Sequence, residues 1–292
     1  MKLIHYCYLL FIGAAWGSSF LFMKIAVLSF GPSWMVGLRV ALAALSLTAF
    51  CLFTRQSLPL YRHRWPAILM GLFYVLIPLL MWAYAAQTLK ASLLAIINAT
   101  APLFGALIAA VWLKQPLGRK RFAGLVLGFL GVAVLVWDGG WDPSAASIWP
   151  LAGALLASIL YGAMAHYTQQ MKNTPPMITA LGGLWVATII MLPFLWAHPL
   201  TASPSLTAWG CVICLGCVCT ALAYVLYFKL IDQIGAASAL TVTYLIPLFG
   251  TLWGVIFLEE TMGYASLTGA AMILLGIRWV SSLPPRSQNT ID

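Results

Sequence analysis

The chain has 292 residues, of which 63% are hydrophobic and 7% charged, with a net charge of +9 and a mean hydropathy of +0.97. A soluble domain carries roughly 25% charged residues, so this composition cannot cover a water-facing surface and fits a lipid bilayer as solvent. Nucleic acid is excluded as the reason for the positive charge, because the basic residues stand in short breaks between apolar runs, where they orient a membrane protein.

Apolar runs long enough to cross about 30 Å of hydrocarbon as helices recur ten times. They lie at about 4–28, 34–54, 66–88, 92–113, 120–137, 147–170, 177–197, 206–231, 236–257 and 265–282. The first follows Lys2 and has the outline of a secretory leader, but no small-x-small cleavage site follows a polar region. Its Trp16-Gly17 also has a counterpart in Tyr161-Gly162, so the run is expected to be retained. The second carries Arg39 about one and a half turns in. A snorkelling position or an ion pair with Glu259 or Glu260 makes it a structural charge, the favoured reading; capture of a substrate carboxylate by its planar fork is the alternative.

The third run contributes Tyr74, Trp82 and Tyr84. On the fourth, Asn98, Pro102 and Gly105 follow i, i+4, i+7 and would share one helix face; on the ninth, Thr243, Pro247 and Gly250 repeat that pattern. Prolines within apolar helices free a carbonyl and mark Pro102, Gly105, Pro247 and Gly250 as candidate helix-break or gating positions, against the plainer reading of close helix packing. The sixth run sets Gly162, His166 and Gln169 on one face. His166 is an intramembrane ionisable group and hence a site candidate, against a neutral histidine satisfied by one hydrogen bond. The eighth run holds Cys211, Cys214, Cys217 and Cys219. At about 100° per residue their directions diverge around a helix, so they read as small packing residues and no metal is expected. No cofactor is implied either. Trp16, Tyr74, Tyr84, Asn98, Tyr161, His166, Tyr224, Thr243 and Tyr244 are the candidate substrate-binding residues.

The tetrapeptide Pro102-Leu103-Phe104-Gly105 returns as Pro247-Leu248-Phe249-Gly250, an offset of 247 − 102 = 145. The same offset pairs Gly17 with Gly162, Gly37 with Gly182, Gly71 with Gly216, Gly124 with Gly269 and Gly131 with Gly276. A duplicated unit follows, residues 1–141 and 142–292. Five helices per unit is odd, so the second copy enters the membrane from the opposite side. The expected fold is an all-α integral membrane protein of ten transmembrane helices in two inverted five-helix repeats, an arrangement that places substrate sites near mid-membrane between repeats. Lys and Arg concentrate on the side that holds both termini, which is therefore cytoplasmic.

Several stretches resemble the drug/metabolite transporter superfamily, in particular its EamA-type ten-helix exporters, aromatic amino acid exporters among them. Ala15-Trp16-Gly17-Ser18-Ser19-Phe20 with the later Lys24 is similar to the family's W-G-x-x-F element. Pro32 followed by Leu38-Arg39 resembles its second-helix motif, and Leu258-Glu259-Glu260 its L-G-E-R-like turn, which the first copy replaces with Leu113-Lys114-Gln115. The resemblance implies a central cavity bordered by helices 3, 4, 8 and 9 with contributions from 1, 2, 6 and 7.

The function expected is export of small metabolites across a bacterial inner membrane by alternating access, with amino acids the leading substrates, aromatic or apolar ones favoured. Export of amines or lipophilic drugs is the alternative. An intramembrane protease would not need a whole-chain inverted duplication, and a channel would show no saturable counterflow; neither an enzyme nor a channel is expected. The partners expected are lipid and a small molecule, not nucleic acid; the sequence is compatible with a monomer and does not fix the oligomeric state.

Overall fold

The computed structural model describes residues 2–55, 64–112, 114, 118–138, 145–170, 175–200 and 203–281, and all regular structure among them is helical. The first helix, α1 (Leu3–Phe53), is 51 residues long, or roughly 76 Å at 1.5 Å per residue, more than twice the thickness of a hydrocarbon core. It folds back at Gly31, whose φ of 70° and ψ of 166° break the helical path. Glycine reaches that conformation without a Cβ clash, and Pro32 cannot donate the next helical bond. Two arms result, 3–30 and 32–53.

There follow α2 (Arg64–Ala86), α3 (Ala91–Asn98), α4 (Ala101–Val111), α5 (Arg119–Asp138), α6 (Ala145–Gln170) and α7 (Pro176–Ala197). The chain continues through α8 (Leu206–Ile234), α9 (Ala236–Ala239), α10 (Val242–Leu258) and α11 (Tyr264–Ser281). Seven of the described helical stretches are long and apolar enough to cross a membrane: α1, α2, the α3–α4 rod, most of α6, α7, α8 and α11.

The fourth apolar run is not one helix. Pro102 lacks the N–H that would bond to Asn98 O, and its ring crowds that carbonyl, so the helix ends at Asn98 and restarts at Ala101. The carbonyl of Ile97 at the break accepts from Thr100 Oγ1 at 2.6 Å and from Ser158 Oγ of α6 at 3.0 Å. Asn98 and Pro102 therefore do not share a continuous helix face, contrary to the spacing argument, and Pro102 stands in the first turn of α4 rather than inside a helix. In the ninth run the break falls one turn earlier in register, at Leu240 and Thr241, and Thr243, Pro247 and Gly250 do lie together on α10.

Two segments widen to π-helix, Gly71–Leu76 in α2 and Cys214–Leu222 in α8. They begin close to positions 145 apart, and each opens against an equivalent neighbour. A Cβ at Gly71 would meet Gly183 O and Val186 on α7; one at Gly216 would meet Leu42 Cβ and Arg39 O on the second arm of α1. Lys114 and Glu259, also 145 apart, both adopt left-handed φ, at 50° and 53°.

Helix contacts recur in the same register. A Cβ at Gly17 would lie 2.8 Å from Gly250 N and 3.0 Å from Ile246 O; one at Gly162 would lie 2.6 Å from Gly105 N and 2.8 Å from Ala101 O. Adding or subtracting 145 turns one set into the other. Between α5 and α11, Gly124 faces Gly276 O and Gly131 faces Gly269 O, so these helices run antiparallel, and the same shift exchanges them. Small residues carry these contacts because lipid supplies no hydrophobic drive between helices and close backbone approach must do so by dispersion. The centre is filled by Met35, Leu47, Trp82, Leu94, Ile97, Leu181 and Leu184, whereas Phe53, Trp112 and Trp196 face outward.

Candidate functional site

Arg39 is 7% exposed and does not snorkel. Nor does it pair with Glu259 or Glu260. Its Nε donates to Thr220 Oγ1 at 3.2 Å, and the Thr220 hydroxyl donates in turn to Leu215 O, five residues back, at 2.8 Å. The wide π turn of α8 and the bare Gly216 backbone bring the two helices close enough for this bond. Tyr161 of α6 and Tyr224 of α8 lie within electrostatic reach of Arg39 and of Tyr74 on α2. The Tyr74 and Tyr161 rings are 5.2 Å apart. Trp82 lies beside Tyr161 and packs edge-on against Phe20 at 5.5 Å. Among the described residues, four buried side-chain N or O atoms have no hydrogen-bond partner: Ser19 Oγ, Arg39 Nη1, Trp82 Nε1 and Arg121 Nε. Arg39 and Trp82, two of the four, border this aromatic cluster.

The remaining candidates divide. Trp16 is half-buried and packs tilted against Tyr227 at 5.1 Å, one helical turn from Tyr224. Tyr84 is 44% exposed and stands apart on the outside of α2. Asn98 terminates α3. Thr243 Oγ1 donates to Leu240 O at 2.8 Å, which satisfies the carbonyl left by the break before α10. Tyr244 lines an open pocket of about 400 Å³ with Leu274, Leu275 and Arg278 of α11, none of which belongs to the Arg39 cluster. His166 donates from Nε2 to Gly105 O at 2.8 Å and ties α6 to α4; the Gln169 side chain lies outside the described residues. Pro247 and Gly250 are buried on α10, Gly250 against Gly17 and Ala95.

Two features escaped the sequence reading. Cys219 and Cys217 are not isolated packing groups: Ser18 Oγ lies 3.7 Å from Cys219 Sγ and Ser46 Oγ donates to Cys217 Sγ at 3.4 Å. The second feature is a clamp at the end of the bundle that carries Lys24 and Lys90. Glu260 accepts from Ala91 N at 2.6 Å, Ser92 N at 2.9 Å and Ser92 Oγ at 2.5 Å. A carboxylate at the first N–H groups of α3 is stabilised by charge-assisted bonds and by the helix dipole. Lys90 Nζ donates to Thr261 O at 3.0 Å and Lys24 Nζ to Leu89 O at 2.9 Å. A void of about 10 Å³ lies beneath this clamp. A sequence signal existed, since a lone Glu-Glu pair closes an apolar run; its partner, a helix start 168 residues earlier, had none.

A bundle of long apolar helices, broken by proline and π turns around a buried cation and aromatic hydroxyls, defines a multi-pass membrane protein of the transporter class. The chain belongs to the EamA-like transporter family, whose model matches it twice, at residues 3–137 and 148–282; the two matches start 148 − 3 = 145 residues apart. It is 23% identical over 270 residues to an uncharacterized transporter of Archaeoglobus fulgidus, spanning 90% of this chain and 93% of that one. It is 26% identical over 266 residues to the uncharacterized inner membrane transporter YedA of Escherichia coli, spanning 90% and 85%. A probable terminal-alkyne amino-acid exporter of Streptantibioticus cattleyicolor is 26% identical over 192 residues, 63% of this chain and 61% of that one. A solved crystal structure superposes with a TM-score of 0.64 at 16% identity over 96% of both chains, which is a likeness of fold.

Proposed function

We propose that this protein exports small metabolites, amino acids foremost, across the inner membrane by alternating access between two inverted five-helix repeats, 1–141 and 142–292. The observation that carries the reading is the exchange of contacts under a shift of 145: Gly17 with Gly250 becomes Gly162 with Gly105, and Gly124 with Gly276 becomes Gly269 with Gly131. An exchange of contacts that returns to its start after two steps supports a twofold relation between the halves. Because it swaps the antiparallel helices α5 and α11, its axis is perpendicular to them and so lies in the membrane plane.

Ten crossings follow when the two arms of α1 count separately and α5 and the α9–α10 rod are added to the remaining candidate spans. Both termini then face the cytoplasm, with Arg55, Arg64, Arg119, Lys120 and Arg121, and the Glu260 clamp closes the periplasmic end. Rocking the halves about the reciprocal glycine contacts would open that clamp and close the opposite end. Amino acids are favoured over amines as cargo by the buried cation at Arg39 and by the Streptantibioticus relative, a probable terminal-alkyne amino-acid exporter. Among the described residues the acids, Asp138, Asp232, Glu259 and Glu260, sit at helix ends or in loops, and His166 is engaged with Gly105 O, so downhill transport without proton coupling is the economical mechanism.

The test is reconstitution in proteoliposomes loaded in turn with each amino acid, followed by uptake of the labelled form. Saturable counterflow of at least one is expected. Uptake that is linear in concentration and shows no counterflow would indicate a channel and reject the proposal.

A further inference from the structure

A buried guanidinium with an unused donor is costly: an ion taken out of water needs a partner of opposite charge or a full set of hydrogen bonds. Arg39 has neither. Its one bond is to Thr220 Oγ1, and Nη1 is buried without a partner. Among the described side chains, the acids that might have answered it are committed elsewhere or exposed. Glu260 is held by the N-terminus of α3, Glu259 is exposed in its left-handed turn and Asp232 is exposed near the end of α8. The groups around Arg39 are donors as well. Trp82 Nε1 can only donate; the Tyr161 hydroxyl lies beside it but outside good hydrogen-bond geometry, and the Tyr74, Tyr161 and Tyr224 hydroxyls each bring a proton. A cluster with a fixed positive charge, several donors and, among the described residues, no anion is complementary to an anionic acceptor. The aromatic rings around it come from α2, α6 and α8, elements drawn from both repeats.

We propose that Arg39 is the recognition residue for the transported molecule and takes its carboxylate, with the apolar body of the substrate among Tyr74, Trp82, Tyr161 and Tyr224. This inference rests on the transporter reading above and narrows it: the substrates are monocarboxylates with an apolar or aromatic body, and cationic amines are rejected. Nη1 and Nη2 present the planar fork that a carboxylate matches in bidentate fashion. Thr220 is a positioning residue: its proton is committed to Leu215 O, so its oxygen accepts from Nε and holds the fork in place.

The experiment uses wild-type protein in proteoliposomes and four related solutes: phenylalanine, its amide, phenethylamine and 3-phenylpropionate, followed by the same comparison for the other amino acids that show counterflow. Phenylalanine and 3-phenylpropionate should exchange, and the amide and amine should be weaker by about 100-fold in kcat/KM, because a site built to bond one group strongly rejects analogues that lack it. Arg39→Gln should remove the preference for acid over amide, and Arg39→Lys should raise KM for the acids by about tenfold with kcat less affected. The wild-type comparison needs no variant to fold. Equal exchange of acid and amine by the wild-type protein, or an unchanged acid preference in Arg39→Gln, overturns the assignment while leaving the transporter reading intact. Absence of counterflow for every solute and amino acid overturns the amino-acid reading and this inference with it.

Discussion

The contact between α4 and α6 gives a prediction with its own control, because its two glycines are not equivalent. A Cβ on Gly162 would stand 2.6 Å from Gly105 N and 2.8 Å from Ala101 O, whereas a Cβ on Gly105 would stand 3.5 Å from Gly162 O and 3.6 Å from its Cα. Ordinary contact begins at 3.4 Å, so Gly162→Ala requires α4 to retreat by 3.4 − 2.6 = 0.8 Å, and the atoms in the way are backbone. Overpacking of this kind costs about 1–3 kcal/mol, offset by about 1 kcal/mol of improved helix propensity. The retreat also pulls Gly105 O from His166 Nε2, a bond of about 1 kcal/mol. Gly162→Ala should therefore lower stability by about 2 kcal/mol, which corresponds to about 4–8 °C in Tm. Gly105→Ala meets only ordinary contacts and should be neutral or stabilising by up to about 1 kcal/mol. Thermal unfolding of the purified protein in detergent, read by intrinsic fluorescence and by the monodisperse fraction after heating, separates the two. Gly162→Ala as stable as wild type, or Gly105→Ala as damaging as Gly162→Ala, would refute the reasoning.

Glu260→Gln keeps an acceptor but loses the charge at the start of α3, and should cost about 1.5–3 kcal/mol in the same assay, with Glu259→Gln changing it by less than about 0.5 kcal/mol. Glu259→Gly removes the left-handed strain at φ 53° and should raise stability by about 1 kcal/mol; a fall in Tm would count against it. An imposed pH gradient should not drive substrate above equilibrium in proteoliposomes. If it does, and His166→Ala abolishes that accumulation while downhill flux persists, the histidine is a coupling group and not a tie to Gly105. Reporter fusions active only in the cytoplasm should work at both termini, and activity at one end alone would reject five crossings per repeat.

Much of the fold was legible in the chain because the bilayer asks a simple question of it. A stretch either offers about 20 apolar residues or cannot cross, and 63% hydrophobic composition answers it many times over. The duplication was equally plain, because glycines at close helix contacts keep their register: the offset pairs Gly17 with Gly162 and Gly105 with Gly250, while only the packed helices set Gly17 against Gly250 and Gly162 against Gly105. Helix continuity was less legible. Pro102 announced a break, but whether it would kink a helix or end one depended on acceptors and donors supplied from elsewhere, and Ser158 on α6 supplied the donor for Ile97 O. The same holds for the site. Nothing near Arg39 in the chain points to Thr220, which lies 181 residues away, nor near Glu260 to Ala91. A charge in an apolar run declares only that it must be answered. Which group answers it, or whether one is left open as at Arg39 Nη1, is decided by which helices pack side by side. That is set by the summed fit of many small residues along whole helices, and no single segment of sequence carries it.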